Sequence, residues 1–213
     1  MSYNAATSEV TVPKCGGLLL CLVLSLAYGQ EISPGYPAIR PNQELRVPNL
    51  PLLKARTRDR SDVLLTSLDI ILHNHEICCG RDSALQDSAQ QADPRSMKDI
   101  VAKLQGRHLL GDGRPIMVSV IDMMPYSANP APIVDALAKK QALLLMWNSR
   151  LYVLSGALYD EALYQDGTRT DTVNKFYLLD TRYSDSRRDV IFTRTKDDWN
   201  DVQGLLMLTV APQ

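Results

Sequence analysis

The chain has almost no net charge: 23 lysines and arginines face 24 aspartates and glutamates across 213 residues. So balanced a protein has no long-range field with which to gather phosphate backbones, and nucleic acid is excluded as a default partner. Long apolar runs are equally scarce. Apart from one N-terminal stretch, none approaches membrane-spanning length, and no basic amphipathic stripe marks a membrane-surface helix. Cysteine is sparse as well. Of the four cysteines, Cys15 and Cys21 lie in that N-terminal stretch, while Cys78 and Cys79 are adjacent. No separated pair remains to staple a disulfide scaffold, and neighbouring cysteines bridge only through a strained ring. No internal repeat is present, and no serine sits in a nucleophile-elbow pattern. What is left is ordinary globular composition, 45% hydrophobic and 22% charged, with a length that suits one domain.

The N-terminal stretch reads as a leader. Residues 15–27 are apolar or small except for Ser25, follow Lys14, and run into Ala27-Tyr28-Gly29. A positive flank, a short apolar core and small residues before a cut after Gly29 are the features of a signal peptide. The expectation is a chain exported to the periplasm or outside the cell, with residues 1–29 removed and no membrane attachment afterwards. Residues 30–62 hold Pro34, Pro37, Pro41, Pro48 and Pro51 and then the basic stretch Lys54–Arg60. Such proline density removes backbone donors, so an extended tether is expected there, its basic end solvated or turned to an anionic surface.

The folded domain is then expected over residues 63–213. Residues 62–72 suit a buried helix or strand, with helix preferred. A helix is expected over 79–90 with Asp82 in its first turn, and another over 97–105 behind the capping residue Ser96. Residues 115–123 read as a strand and 130–140 as a third helical pattern. The runs beginning at Ala142, Arg150, Asn174, Asp189 and Gly204 are strand-like and separated by turn-rich segments. Helices followed by an antiparallel sheet make an α+β domain.

Reactive side chains gather in His73-Asn74-His75-Glu76-Ile77-Cys78-Cys79-Gly80. In one reading, a thiol at the start of a helix is ionised by the unsatisfied N–H groups there, and His73 or Asn74 adds a donor for an oxyanion. In a second, His73 and His75 share one face of a strand and a cysteine completes a soft metal site, although adjacent thiols rarely reach one tetrahedral ion. In the third, a cysteine fills a small gap and the histidines are simply exposed. Trp147 and Tyr152 are read as core residues, and Asp122 and Asp160 as carboxylates without a visible partner. No cofactor is implied.

Three segments in order resemble the papain-like cysteine peptidases, particularly the small bacterial domains similar to double-glycine leader peptidases. Cys79-Gly80-Arg81-Asp82-Ser83-Ala84-Leu85 is similar to the start of that family's catalytic helix. Residues 133–156 resemble its helix, strand and histidine-bearing strand. Phe176-Tyr177-Leu178-Leu179-Asp180 resembles the strand that delivers the orienting acid. The resemblance implies a papain-like fold in which Cys79, or Cys78 in reserve, attacks a carbonyl and Asp180 orients the base. It also implies that Cys79 caps a helix facing the strand that starts at Arg150. The chain departs from the pattern where that base should stand: Arg150 occupies the histidine position, six residues before Gly156. A guanidinium cannot accept the thiol's proton at any working pH. Arg150 and Asp180 are instead candidates for an ion pair. Two functions follow from this: a cysteine peptidase or amidase, active or with its catalysis lost, or an exported module binding peptide or polysaccharide without catalysis.

Overall fold

A β-hairpin needs a turn whose twist matches its strands, and this chain supplies three. Between β4 (Leu143–Trp147) and β5 (Arg150–Leu163), Asn148 and Ser149 both take positive φ, 50° and 57°, as a two-residue type I′ turn demands. The other two use Asp-Gly. Asp112-Gly113 joins β2 (Gly106–Leu109) to β3 (Pro115–Asp122), and Asp166-Gly167 joins β5 to β6 (Arg169–Leu179). In each, the glycine has φ 84° and the aspartate carboxylate accepts the N–H two residues on.

The structure is a computed structural model that describes residues 36–75, 77, 83–123, 130–183, 187–191 and 201–213, with only the backbone described for 187–191. The leader, Cys78 and Cys79 lie outside these residues. With β1 (Ala38–Arg46), β7 (Arg187–Ile191) and β8 (Val202–Pro212), the strands form one antiparallel sheet in the order β2-β3-β8-β4-β5-β6-β7. The eighth strand, β1, is added alongside β5. One edge of β5 pairs with β6 along most of its length. The other edge is shared, Arg150–Leu154 pairing with β4 and Gly156–Leu163 with β1. β8 lies between β3 and β4, so the chain crosses over from β3 to β4 through a helix.

Among the described residues, four helices pack with this sheet: α1 (Arg60–Asn74), α2 (Ala84–Gln90), α3 (Met97–Leu104) and α4 (Ala131–Ala138). Each start is legible. Asp59 accepts the Asp62 N–H at 2.9 Å, Ser83 the Gln86 N–H and Ser96 the Asp99 N–H, both at 3.2 Å, while α4 opens on Pro130. α1 is buried along most of its length. Val63, Leu64, Leu68, Ile70, Ile71 and Leu72 enter the core, where they join Leu143–Leu145, Val153, Leu154 and Phe176. Thr66 and Ser67 are buried too, because each hydroxyl donates to the carbonyl four residues back.

Three sequence expectations are corrected here. The α+β class holds, but the segment expected as tether contributes a strand. β1 occupies 38–46 despite Pro41, because Pro41 falls at a bulge between Arg40 and Gln43, where a missing N–H breaks no ladder bond. Asn42 takes φ 54° at this bulge and donates its N–H to Asp160 at 2.9 Å, so Asp160 does have a partner. Second, His73 and His75 do not share a strand face, for His73 is in the last turn of α1 and His75 is its C-cap. Third, the helix expected from residue 79 is described from Ala84, with Ser83 as its N-cap. β2 was not anticipated. Its four residues are too few to show a period.

Candidate functional site

The residues singled out by sequence lie at two ends of one helix. α1 has 15 residues and therefore spans about 22 Å at 1.5 Å per residue. At its C-terminal end, Asn74 donates its side-chain amide to the Lys140 carbonyl at 2.6 Å, and His75 Nε2 lies 3.1 Å from the Leu208 carbonyl. His73 is exposed beside them. These side chains, with Lys139 and Lys140, border a concavity of about 500 Å³. Ile77, next to the cysteines in the chain, bonds back to the Leu72 carbonyl at 3.1 Å and so belongs to this end.

At the N-terminal end of α1 stand Arg150 and the Asp180 pair. The type I′ turn that presents Arg150 is fixed from β8. Ser149 donates its N–H to Gln203 at 2.5 Å, Gln203 returns a bond to the Ser149 hydroxyl at 3.1 Å, and Asn148 donates to the Asp201 carbonyl at 3.0 Å. Serine with positive φ is uncommon, and the two bonds to Gln203 hold it there. Asp180 follows β6 directly and is buried. Its oxygens accept a two-pronged contact from Arg182, Nε to Oδ1 at 2.6 Å and Nη2 to Oδ2 at 2.7 Å, and Oδ1 also takes the Arg182 N–H at 3.2 Å. Thus the ion pair expected between Asp180 and Arg150 is made with Arg182. Burial works against the Arg182 charge, but Asp180 and the Tyr152 hydroxyl outweigh it and raise its pKa. Arg182 also lies 5.1 Å over the Tyr152 ring, which in turn packs on Trp147 at 6.2 Å. Both aromatic residues are packing residues, as the sequence suggests.

Four arginines border one concavity at this end. Arg58 and Arg60 flank the N-cap of α1, Arg150 opens β5, and Arg182 follows β6; together they line a concavity of about 130 Å³ floored by Val63 and Leu151. Among the described residues, only Arg182 of the four is in an ion pair; Arg58 instead lies 5.4 Å over the Tyr183 ring. Two acids beside the α1 N-cap are engaged elsewhere. Asp59 caps α1 and accepts from the Thr57 hydroxyl, which, with the Asp62 N–H, holds its carboxyl below the usual range. Asp62 accepts the Thr57 N–H at 2.5 Å and borders the neighbouring concavity.

The structure therefore brings Arg150 and Asp180 to one place and puts His73 and Asn74 at the far end of α1. Cys78 and Cys79 fall outside the described residues. His108 is not a spare base near either end. It is buried on β2 with Nε2 2.8 Å from the Leu104 carbonyl, where it serves the C-terminus of α3. Among the described residues, no group of three or more histidine, cysteine, aspartate or glutamate side chains could hold a metal ion. Ser83 and Ser155 are structural: one is an N-cap and the other donates to the Tyr177 carbonyl at 2.9 Å. Sequence reading missed Arg58, Arg60 and Arg182 as neighbours of Arg150. The only available signal was the basic stretch running into the N-cap at Asp59. No described helix is long and apolar enough to cross a membrane. No protein-family profile matches the chain, and no curated protein matches it.

Proposed function

We propose that this chain is an exported α+β module that binds a peptide and does not hydrolyse it. The observation that carries the reading is the composition of the α1 N-terminal end. Where the papain-like resemblance requires an imidazole and a free orienting carboxylate, the chain has a guanidinium at Arg150 and a carboxylate gripped by Arg182. A guanidinium cannot take a proton from a thiol at any working pH. The three histidines are committed to other places: two at the opposite end of α1 and one beneath α3. Export rests on the leader read from residues 1–29.

The test is alkylation of the mature protein with iodoacetamide across pH, run beside a fluorogenic peptide hydrolysis assay. Thiols that react only near their ordinary pKa, with no peptide turnover, agree with binding alone. A thiol alkylated well below pH 8, with turnover abolished by Cys79→Ala or Cys78→Ala, would restore the papain-like peptidase or amidase reading.

A further inference from the structure

From the same end of α1, and resting on the binding reading above, we infer the chemistry of what is bound: the arginine-lined concavity is a receptor for an oxyanion group carried by a peptide, a carboxylate or a phosphate. Arg58, Arg60, Arg150 and Arg182 reach it from three separate parts of the chain, the segment leading into α1, the β4–β5 hairpin and the turn after β6. Nothing local in the sequence forces these like charges together. Arg58, Arg60 and Arg150 are exposed, so their donors are open to an arriving anion.

The volume, about 130 Å³, admits one such group and little else. Guanidinium donors match planar carboxylates and phosphate oxygens through paired N–H bonds. The parts are held in place beforehand. Asp180 and Tyr152 fix Arg182, Tyr183 stacks with Arg58, and Gln203 locks the turn in front of Arg150. Arg182 spends its charge on Asp180, so Arg58, Arg60 and Arg150 are the cations that meet the ligand. A peptide is the carrier that the binding reading names, and its carboxylate or phosphate is the charge complement of Arg58, Arg60 and Arg150.

The full chain would be titrated calorimetrically with three hexapeptides, one rich in glutamate, one carrying phosphoserine and one rich in glutamine. Binding of either acidic peptide but not the glutamine peptide supports the assignment, and the tighter of the two identifies the anion. Affinity should drop about tenfold in Arg150→Gln and again in Arg58→Gln, each removing one charge-assisted contact. It should also weaken between about 50 and 300 mM salt, and Arg40→Gln, on the β1 edge, should leave it unchanged. Both arginine variants alter exposed side chains, and a thermal melt checks that they fold. The assignment is overturned if neither acidic peptide binds, if both variants bind as the parent does, or if polyglucuronate binds through these arginines while both peptides fail. Peptide turnover that depends on Cys78 or Cys79 would instead sink the binding reading itself, whatever the titration gives.

Discussion

Asp180 and Arg182 are two residues apart, yet they meet as a fork, both carboxylate oxygens facing both guanidinium donors at 2.6 and 2.7 Å. The turn after β6 makes this possible by folding Arg182 back over the strand end, with its own N–H bonded to the same carboxylate. The pair is nearly enclosed, with side-chain exposures of 1% and 14%. A buried pair of this kind contributes little net stability, but removing one member leaves the other charged and unpartnered. Asp180→Asn is therefore expected to cost about 3 kcal/mol in urea denaturation, and Asp180→Asn combined with Arg182→Met should recover much of that. A single variant as stable as the parent would show that the fork is not held in solution.

Much of the fold could be read from the sequence because its determinants are local. Ser96 before an amphipathic run and Asp-Gly between alternating strands each specify a cap or a turn within a few residues, and the structure has both. β1 was hidden for the opposite reason. Its prolines argue against a strand until it is known that Pro41 sits at a bulge and that Gly156 leaves room for the strand on β5.

The site was legible only in part. Arg150 and Asp180 stand out as departures from a pattern, but what they do depends on neighbours distant in sequence. Arg58 and Arg60 lie some ninety residues before Arg150, and Arg182 more than thirty after it. No periodicity or spacing encodes that meeting. The helix expected from residue 79 is described from Ala84, because Ser83 takes extended backbone angles and caps it.

Gly156 faces Arg46 across the β5–β1 ladder. A Cβ there would collide with the Leu45 carbonyl and come within 3.2 Å of the Arg46 Cα and 3.1 Å of the Tyr177 ring. Backbone of a paired strand cannot step aside without losing its ladder, so Gly156→Ala should destabilise by about 2 kcal/mol and speed hydrogen exchange in β1. Gly204 is the comparison. The three atoms nearest its added Cβ all belong to the Met97 side chain, which is flexible and can repack. Gly204→Ala should therefore cost less, and Met97→Ala beside it should relieve the clash. Equal losses from both glycines would contradict the close approach of β1.

Asp171 should make its own mark on the pH dependence of stability. Its side chain is fully enclosed, and neither oxygen accepts a hydrogen bond among the described residues, although Arg169 Nη2 lies 2.8 Å from Oδ2. Burial raises its pKa, with Arg169 pulling the other way. In the pH range between its unfolded and folded pKa values, the folded state thus holds more protons. Its contribution to stability falls as pH rises through that window and stays lost above it. Asp171→Asn should match the parent at acid pH and be more stable at neutral pH by about 1 kcal/mol, since Asp135 still pairs with Arg169 at 2.6 Å. Denaturation curves at several pH values would show this, and a variant less stable than the parent at neutral pH would mean that the Arg169 contact dominates.

Returning the imidazole should not return the chemistry. If Arg150 were merely a lost base, Arg150→His would restore a thiol-dependent peptidase. The geometry argues otherwise, because Asp180, the acid that would have to orient an imidazole at position 150, is already gripped by Arg182 at 2.6 and 2.7 Å. A general base must come within hydrogen-bond reach of the proton it takes. Arg150→His is accordingly expected to show no gain in peptide hydrolysis at any pH from 5 to 8, the range over which an imidazole changes charge, while losing about tenfold in affinity for an acidic peptide. Turnover that appears in Arg150→His and vanishes when Cys79→Ala is added would place the thiol beside residue 150 and overturn the binding reading.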